Sequence, residues 1–458
     1  ATTRPETKFG DTAVAVNPDD KRYKQYIGQE IEIETVLGKS KIKVVADKMV
    51  DPKFGTGVVK ITPAHDFDDY EVSKRHNLPM VQVIDLSGKM NEKAGKFEGL
   101  YVRQARKAVV EEMQQKGLIE KIDENYKHRI GLCYKCKNPI EPLPLEQWFI
   151  KMEPLAKPAI EAVKEGEIKV FPKNMEKLYF QFLENIRDWN ISRQVVWGIR
   201  IPAWKCKDCS LWIVTSGEIP NSCDKNCECE CKNLIQDEDT FDTWFSSGQW
   251  PFATLKTTKE EDFAQYYPTT VMETGYDILR WWVARMVMLG IYETKQIPFE
   301  NIVLHGLVND PLGKKMSKSK GNVVNPIELV DEYGADAVRF ALTYGTALGN
   351  DQALSFPKLS AMRNFTNKLW NMARFIEMKK NEIGEIMEIE LNTAKTESFH
   401  KNDKKIIENT ENLAKDVTSL LEKYDFNHAC QKLYDFIWHE YADVYIEDVK
   451  TRIDKKSF

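Results

Sequence analysis

The sequence predicts a multidomain α/β protein that ends in an α-helical bundle, and three observations carry that expectation. Residues 1–125 alternate short β-branched runs with turn residues and amphipathic stretches. Residues 242–330 return to strand and helix alternation, the pattern of half of a parallel nucleotide-binding sheet. After Asp351 the strand signal stops and helical periodicity takes over. At 458 residues the chain is too long for one core, and about 100 to 200 residues per domain suggests two to four domains.

Taken in order, residues 31–36, 42–46, 57–62 and 80–84 read as strands, and 68–76 and 102–116 as helices. Residues 126–200 form a connector: Pro139, Pro142 and Pro144 punctuate an extended stretch, and helices follow over 152–166 and 175–187. Residues 201–240 are a cysteine-dense knob with no room for a core, so something other than burial must hold it together. Within 241–350 a long apolar, aromatic helix over 275–289 precedes a strand over 302–307. Within 351–458, residues 365–379, 404–424 and 429–449 carry helical periodicity. No repeat of solenoid period and no low-complexity tract is present.

The bulk numbers narrow the function. Hydrophobic residues make up 42% and charged residues 29%, an ordinary globular balance. No apolar run is long enough to span a bilayer, so no membrane partner is expected. A net charge of -5 confines any nucleic-acid surface to a local patch. Most of the nine cysteines cluster at CxxC-like spacing in a large chain, which favours metal over disulfides and a reducing, cytoplasmic setting. The chain begins at Ala1 with neither an initiator methionine nor a signal sequence, and it reads as a piece of a longer polypeptide.

The run Lys314-Lys315-Met316-Ser317-Lys318-Ser319-Lys320-Gly321-Asn322 is the most specific feature. Lysines supply point charges, serines add donors and the glycine lets backbone approach a ligand, which suits a phosphate. A lysine-rich turn alone would be a solvated loop, but this one lies between a strand pattern ending near Val308 and a helix start near Pro326. It resembles the KMSKS signature of class I aminoacyl-tRNA synthetases. Ala1-Thr2-Thr3-Arg4-Pro5-Glu6-Thr7, Asp11-Thr12-Ala13-Val14-Ala15-Val16-Asn17-Pro18 and the run from Gly55 to Asp66 resemble the editing insert of the valyl, isoleucyl and leucyl group. Ile191-Ser192-Arg193-Gln194-Val195-Val196-Trp197-Gly198 and Asp242-Thr243-Trp244-Phe245-Ser246-Ser247 resemble the catalytic domain beyond that insert. Three details resemble the valyl branch: Lys320, Thr274-Gly275-Tyr276-Asp277-Ile278-Leu279, and Gly349-Asn350-Asp351 ahead of Arg363-Asn364-Phe365.

The resemblance implies a β-rich editing domain over 1–125, a connector over 126–200 and a zinc knob over 201–240. It further implies the second half of a Rossmann-like catalytic domain over 241–350 and a truncated α-helical anticodon-binding domain over 351–458. The implied substrates are valine, ATP with Mg²⁺, and tRNA(Val), handled by a cytoplasmic monomer. Lys315 and Lys318 would be catalytic, stabilising charge on the phosphates, within an ATP site of His305, Gly306, Lys315, Met316, Ser317, Lys318 and Ser319. Asp277 would hold the valine ammonium, and Trp244, Ile278 and Trp282 would wall its side chain. Asp277 and Trp282 fall on different faces of an ideal helix, so Asp277 has to sit at the helix start to share their pocket.

Threonine is nearly isosteric with valine, and an apolar pocket rejects an added hydroxyl by only about 100-fold, so a second, hydrolytic pocket is needed. Arg4, Thr7, Lys60, Asp66 and Asp69 match the positions that serve there. Asp66 and Asp69 also suit a plain acidic helix N-terminus.

Cys206-x2-Cys209 followed by Cys223, Cys227, Cys229 and Cys231 has the ligand type of a structural Zn²⁺ site. Cys229 matches the family best, with Cys227, Cys223 or Cys231 as its partner. Cys133 and Cys136 form a separate half-site, whose other ligands are expected before Ala1, and Cys430 reads as a small buried apolar residue.

No His-x-Gly-His, P-loop or GxGxxG occurs. The histidine-bearing half of the ATP site is therefore expected outside this chain, which is then unable to make valyl-adenylate by itself. Three other readings stand beside this one: an isoleucyl or leucyl enzyme, a freestanding deacylase of residues 1–125, and a noncatalytic RNA-binding zinc protein. The lysine loop argues against the deacylase, and Asp224, Glu228 and Glu230, which make the knob acidic, argue against the RNA-binding protein.

Overall fold

Alternating glutamates and lysines build the first hairpin. β2 (Glu30–Thr35) and β3 (Gly38–Ala46) pair antiparallel with Glu30 opposite Lys43, Glu32 opposite Lys41 and Glu34 opposite Lys39, so opposite charges face each other along an exposed ribbon. β1 (Ala13–Val16) runs parallel to the apolar end of β3 and antiparallel to β4 (Val58–Ile61), giving the order β2-β3-β1-β4. The computed structural model describes residues 2–133, 136–216, 218–220, 233–259, 261–383 and 399–454, and the chain falls into two units, Ala1–Glu146 and Gln147–Phe458.

In the first unit α1 (Phe67–His76) follows β4, started by the Asp66 side chain on the N–H groups of Asp68 and Asp69, and stopped at Asn77 in the left-handed region. α2 (Val102–Gln115) buries Val102, Ala105 and Val109 against Val83, Ile84, Met90 and Phe97. The strand expected over 80–84 is absent apart from one bridge, Ile84 to Met90. Its physical reason is that the Val83 N–H is taken by the His65 ring and not by a neighbouring strand.

The second unit is built on a parallel sheet. In chain order come β5 (Phe149–Ile150), α3 (Glu153–Lys164), β6 (Lys169–Phe171), α4 (Glu176–Glu184), β7 (Trp189–Asn190) and β8 (Ser192–Arg193). β9 (Ala203–Cys206), β10 (Trp212–Val214) and β11 (Leu234–Gln236) form a small antiparallel sheet, and β12 (Thr240–Phe241) pairs with β8. Then follow α5 (Thr243–Ser247), α6 (Trp250–Thr258), α7 (Asp262–Tyr266), β13 (Thr269–Gly275), α8 (Ala284–Thr294) and β14 (Phe299–His305). β14 lies between β13 and β6, parallel to both, and its Ile302, Val303 and Leu304 are buried, as suits a strand covered on both faces. Ala156, Ala159 and Val163 of α3, Val283 just before α8, and Ala284 and Val287 of α8 belong to one core with the sheet.

The helix expected over 275–289 is a composite. Gly275 ends β13 opposite His305, a 3-10 turn spans Tyr276–Ile278, a π turn spans Leu279–Val283, and α8 begins only at Ala284. Strand also persists past Asp351: β15 (Val308–Asn309) pairs in parallel with β16 (Gln352–Ala353). Gly306 makes this approach possible, because a Cβ there would lie 1.9 Å from the Asn350 carbonyl oxygen.

α9 (Pro326–Tyr333), capped by Asn325, and α10 (Ala335–Thr343) lead to α11 (Phe356–Ile383), longer at both ends than expected. α12 (Lys401–Glu422), α13 (Phe426–Asp435), a π-wound stretch Phe436–Ile446 and α14 (Glu447–Asp454) complete the helices. Rings of Phe340, Phe365, Tyr434 and Trp438 follow one another at centroid spacings of 5.1, 4.8 and 5.7 Å. Among the described residues no helix is long and apolar enough to cross a membrane.

Candidate functional site

The first unit gathers two of its predicted residues, Lys60 and Asp69, into one polar cluster with Asp11 and Thr62. Lys60 leaves β4 with its Nζ 2.5 Å from Thr62 Oγ1, 3.7 Å from Asp69 Oδ2 and 3.8 Å from Asp11 Oδ1. Thr62 donates its hydroxyl to Asp11 and its backbone N–H to Asp69. Two buried carboxylates therefore share one ammonium group, and burial pushes the Asp69 carboxyl up to about 6 against the pull of the Thr62 N–H and Lys60. Asp66 stands at the same helix start, with Oδ1 committed to capping α1.

Arg4 precedes and Thr7 lies within the 3-10 segment Pro5–Gly10 before β1. The Thr7 hydroxyl donates to the Arg4 carbonyl, and Arg4 Nη1 donates to the His65 carbonyl at 2.9 Å. Its Nε reaches Glu6 at 3.3 Å and its Nη2 meets Glu141. His65 is buried and neutral: Nε2 accepts from the Val83 N–H at 2.9 Å and Nδ1 faces the Pro142 carbonyl at 3.2 Å, which fixes the proton on Nδ1. Burial lowers its pKa to about 4.

In the second unit the strand ends do the positioning. Gly275 and His305 are register partners at the carboxyl ends of β13 and β14, where open α/β sheets bind ligands. Asp277 stands two residues beyond Gly275, in the 3-10 turn, and accepts from Lys315 Nζ at 3.1 Å. Trp282, in the π turn, donates its indole N–H to the Ser247 carbonyl at 3.0 Å, which joins it to α5, the helix that carries Trp244. Trp244 and Trp282 are both half-buried against the same core, and Ile278 is also half-buried. His305 points along its own strand end, with Nδ1 2.7 Å from the Gly306 carbonyl and Nε2 3.1 Å from Glu273.

The lysine loop is tied at its base and open at its tip. Asp310 is buried and accepts from the N–H groups of Leu312 and Lys314 and from the Asn322 amide. Asn322 in turn accepts the Ser317 N–H and donates to the Lys315 carbonyl. Gly321 closes the turn at φ 66°, and the Met316 sulfur receives the Val324 N–H at 3.4 Å. The Ser317 and Ser319 hydroxyls lie 3.3 Å apart, and Lys314, Lys318 and Lys320 make no ion pair among the described residues.

Sequence reasoning missed the supports of these sites. Asp11 and Thr62 stand inside segments whose likeness was evident, yet nothing in their spacing shows that they converge on Lys60. Asp310 gives no signal beyond an Asn-Asp-Pro turn. Asp351 accepts from the Leu307 N–H and the Tyr276 hydroxyl, tying the two strand ends together. Asp242 caps α5 while accepting from Trp189 and Arg193. Arg285, buried 3.7 Å from the Trp189 ring, has its pKa lowered to about 10 by that burial.

In both described cysteine pairs the residue after the second cysteine is tied back to the first. The Lys137 N–H bonds the Cys133 carbonyl at 2.9 Å and the Ser210 N–H bonds the Cys206 carbonyl at 2.9 Å, with Lys137 and Ser210 both at φ 60°. Cys206 sits in β9 opposite Leu234 of β11. Cys223, Cys227, Cys229 and Cys231 lie outside the described residues. Among the described residues no group of three metal-ligating side chains is assembled. Cys430 is half-buried, with its Sγ 3.4 Å from the Thr343 hydroxyl, and is not the fully buried apolar residue expected.

Residues 22–355 match the family described as tRNA synthetases class I (I, L, M and V), and residues 403–458 match the anticodon-binding domain of tRNA ligase. The chain is 49% identical over 451 residues to the valine--tRNA ligase of Clostridium acetobutylicum, covering 98% of this chain and 50% of that protein. It is 47% identical over 454 residues to the valine--tRNA ligase of Thermotoga maritima, covering 99% and 51%. The chain thus spans about half the length of the curated relatives it matches. A solved Mycobacterium tuberculosis methionyl-tRNA synthetase in complex with methionyl-adenylate is similar at 20% identity and a TM-score of 0.48, covering 67% of this chain and 53% of that one. Since the match over residues 22–355 takes in both the parallel sheet and the lysine loop at its strand ends, the chain belongs to the class I tRNA synthetases.

Proposed function

We propose that the polypeptide to which this chain belongs joins valine to tRNA(Val) using ATP, and that residues 1–125 hydrolyse threonyl-tRNA(Val) formed in error. The observation that carries the synthetic reading is the meeting of Lys315 with Asp277 beside the carboxyl ends of β13 and β14. A phosphate-binding loop and an acidic anchor for an ammonium group then stand within one contact of each other, as condensation of an amino acid with ATP requires. Similarity to valine--tRNA ligases along 98% of the chain favours valine.

In this reading Lys315 and Lys318 offset charge gathering on the phosphates, His305, Gly306, Met316, Ser317 and Ser319 line the nucleotide, and Mg²⁺ arrives with ATP. Asp277 receives the valine ammonium once Lys315 turns to phosphate, and Trp244, Ile278 and Trp282 exclude larger side chains. Because this chain carries the lysine loop and no His-x-Gly-His, it does not form valyl-adenylate by itself.

The editing reading rests on Lys60 between Asp11 and Asp69. A hydroxyl is distinguished from a methyl group only by groups that hydrogen-bond it, and these carboxylates are such groups, held where water is scarce. Asp69 takes the threonine hydroxyl or ammonium, Lys60 the ester or phosphate oxygen, and Arg4, Thr7 and Asp66 frame the tRNA 3′ end.

The cysteine turns suit structural zinc, which when bound would cross-link a segment too short to build a core. Cys206 and Cys209 supply half of one site, and Cys206 pairs with Leu234 of β11, the strand that follows the cysteine-rich segment in the sequence. Cys229 with Cys227, Cys223 or Cys231 would complete that site, and Cys133 with Cys136 would serve another.

Charging assays on the longer polypeptide with valine, isoleucine and leucine test the synthetic assignment. Charging of tRNA(Val) with valine is expected, and a preference for isoleucine or leucine would overturn it. Pyrophosphate exchange by the 458-residue chain alone would refute its proposed synthetic inactivity.

A further inference from the structure

Behind Arg4 lies a second arginine that neither a motif nor a candidate site contains. Glu6 has a fully buried side chain. It accepts from Arg106 of α2 twice, from Nε at 2.9 Å and from Nη2 at 2.7 Å. The oxygen that receives Nη2 also faces Arg4 Nε, at the longer distance of 3.3 Å. Arg4 is held further by the His65 carbonyl and by Glu141. A guanidinium has five N–H bonds, so after these three contacts one remains on each terminal nitrogen. With its side chain 22% exposed, Arg4 presents a fork that its neighbours have oriented and not exhausted.

The charge balance explains why two arginines are needed. A buried carboxylate seeks the best bidentate partner within reach. If Arg106 were absent, that partner would be Arg4, whose fork would turn inward onto Glu6 and leave the His65 carbonyl. Arg106 saturates Glu6, and the pairing holds the Arg106 guanidinium well above its ordinary pKa. Two guanidinium groups and two carboxylates then balance, and two N–H groups of the partly exposed Arg4 stay uncommitted by these contacts.

We propose that Arg106 is a positioning residue: by occupying Glu6 it keeps Arg4 aimed at an oxygen of the tRNA 3′-terminal nucleotide. This inference rests on the editing reading of residues 1–125. A purely structural staple between α2 and the segment before β1 would instead affect stability without separating binding from turnover.

The test is steady-state hydrolysis of threonyl-tRNA(Val) by the complete 458-residue chain. Variants are Arg106→Met, Arg106→Lys, Arg4→Ala and the Arg4→Ala/Arg106→Met double mutant, each shown to be folded by circular dichroism. Arg106→Met is expected to raise KM about tenfold with kcat within about twofold, and Arg106→Lys, which keeps the charge but not the fork, to fall between. On the Arg4→Ala background Arg106→Met should add nothing. An unchanged KM in Arg106→Met, or the same increase without Arg4, overturns the inference. If Arg106→Met does not fold, Arg106→Lys decides, and an unchanged KM there overturns it equally. Inactivity of the unmodified chain would overturn the editing reading and this inference with it. Activity lost in Lys60→Ala upholds the editing reading whatever Arg106 does, so the two failures are told apart.

Discussion

Lys315 Nζ lies 3.1 Å from Asp277 Oδ2, so a residue of the lysine loop and the candidate ammonium anchor neutralise each other across the strand ends. The lysine side chain is 66% exposed and the aspartate 34%, and a pair so open to water contributes at most about 1 kcal/mol. In the proposed synthetic reading its meaning is positional: each partner would occupy the place of the other's ligand.

Asp277→Asn should therefore leave the thermal midpoint of the chain almost unchanged while raising the KM for valine in the longer polypeptide. Loss of more than about 2 kcal/mol of stability, with valine KM unaltered, would assign Asp277 to the fold instead.

Between pH 4 and 6 two buried groups of the first unit oppose each other. Asp69, raised to about 6, favours its protonated form in the fold, so its contribution is complete below its unfolded pKa and is lost as pH rises toward 6. His65, lowered to about 4, favours its neutral form, so its contribution is complete above its unfolded pKa and is lost as pH falls from there toward 4. Each amounts to at most about 3 kcal/mol. Asp69→Asn removes the first term only, so stability measured by urea unfolding should rise more steeply from pH 4 to 6 than in the unmodified chain. Parallel pH curves for the two proteins would contradict this.

Asp310→Ala removes three acceptor contacts beneath the lysine loop. These bonds hold one local loop. The loss should appear as faster proteolysis within residues 314–321 while the unfolding midpoint moves little. Unchanged cleavage in that segment would show that Asn322 holds the loop alone.

Zinc should accompany the purified chain, and Cys206→Ser should abolish one equivalent and make residues 201–240 sensitive to protease. Metal analysis that finds equal zinc in both proteins would exclude Cys206 as a ligand.

Much of this was legible in the sequence because it was local. Asp66 caps α1 where an acidic helix start was expected, Asn325 starts α9, and the lysine loop joins a strand to a helix. Short β-like runs located β2 and the second half of β3, and their facing charges explain the register. What escaped was long-range. Residues 80–84 have a strand's composition, but a histidine ring from another segment claims the Val83 N–H. The run 275–289 has a helix's composition, yet its first residue completes a parallel sheet and a π turn follows. Arg106, 100 residues from Glu6, gives no sign of its partner in the spacing of its helix.

The editing reading meets its most direct test in hydrolysis of threonyl-tRNA(Val) and valyl-tRNA(Val) by the same chain, with Lys60→Ala beside it. Release of threonine well ahead of valine, abolished in Lys60→Ala, is the predicted result. Equal rates for the two substrates, or a Lys60→Ala variant as active as the unmodified chain, would contradict it.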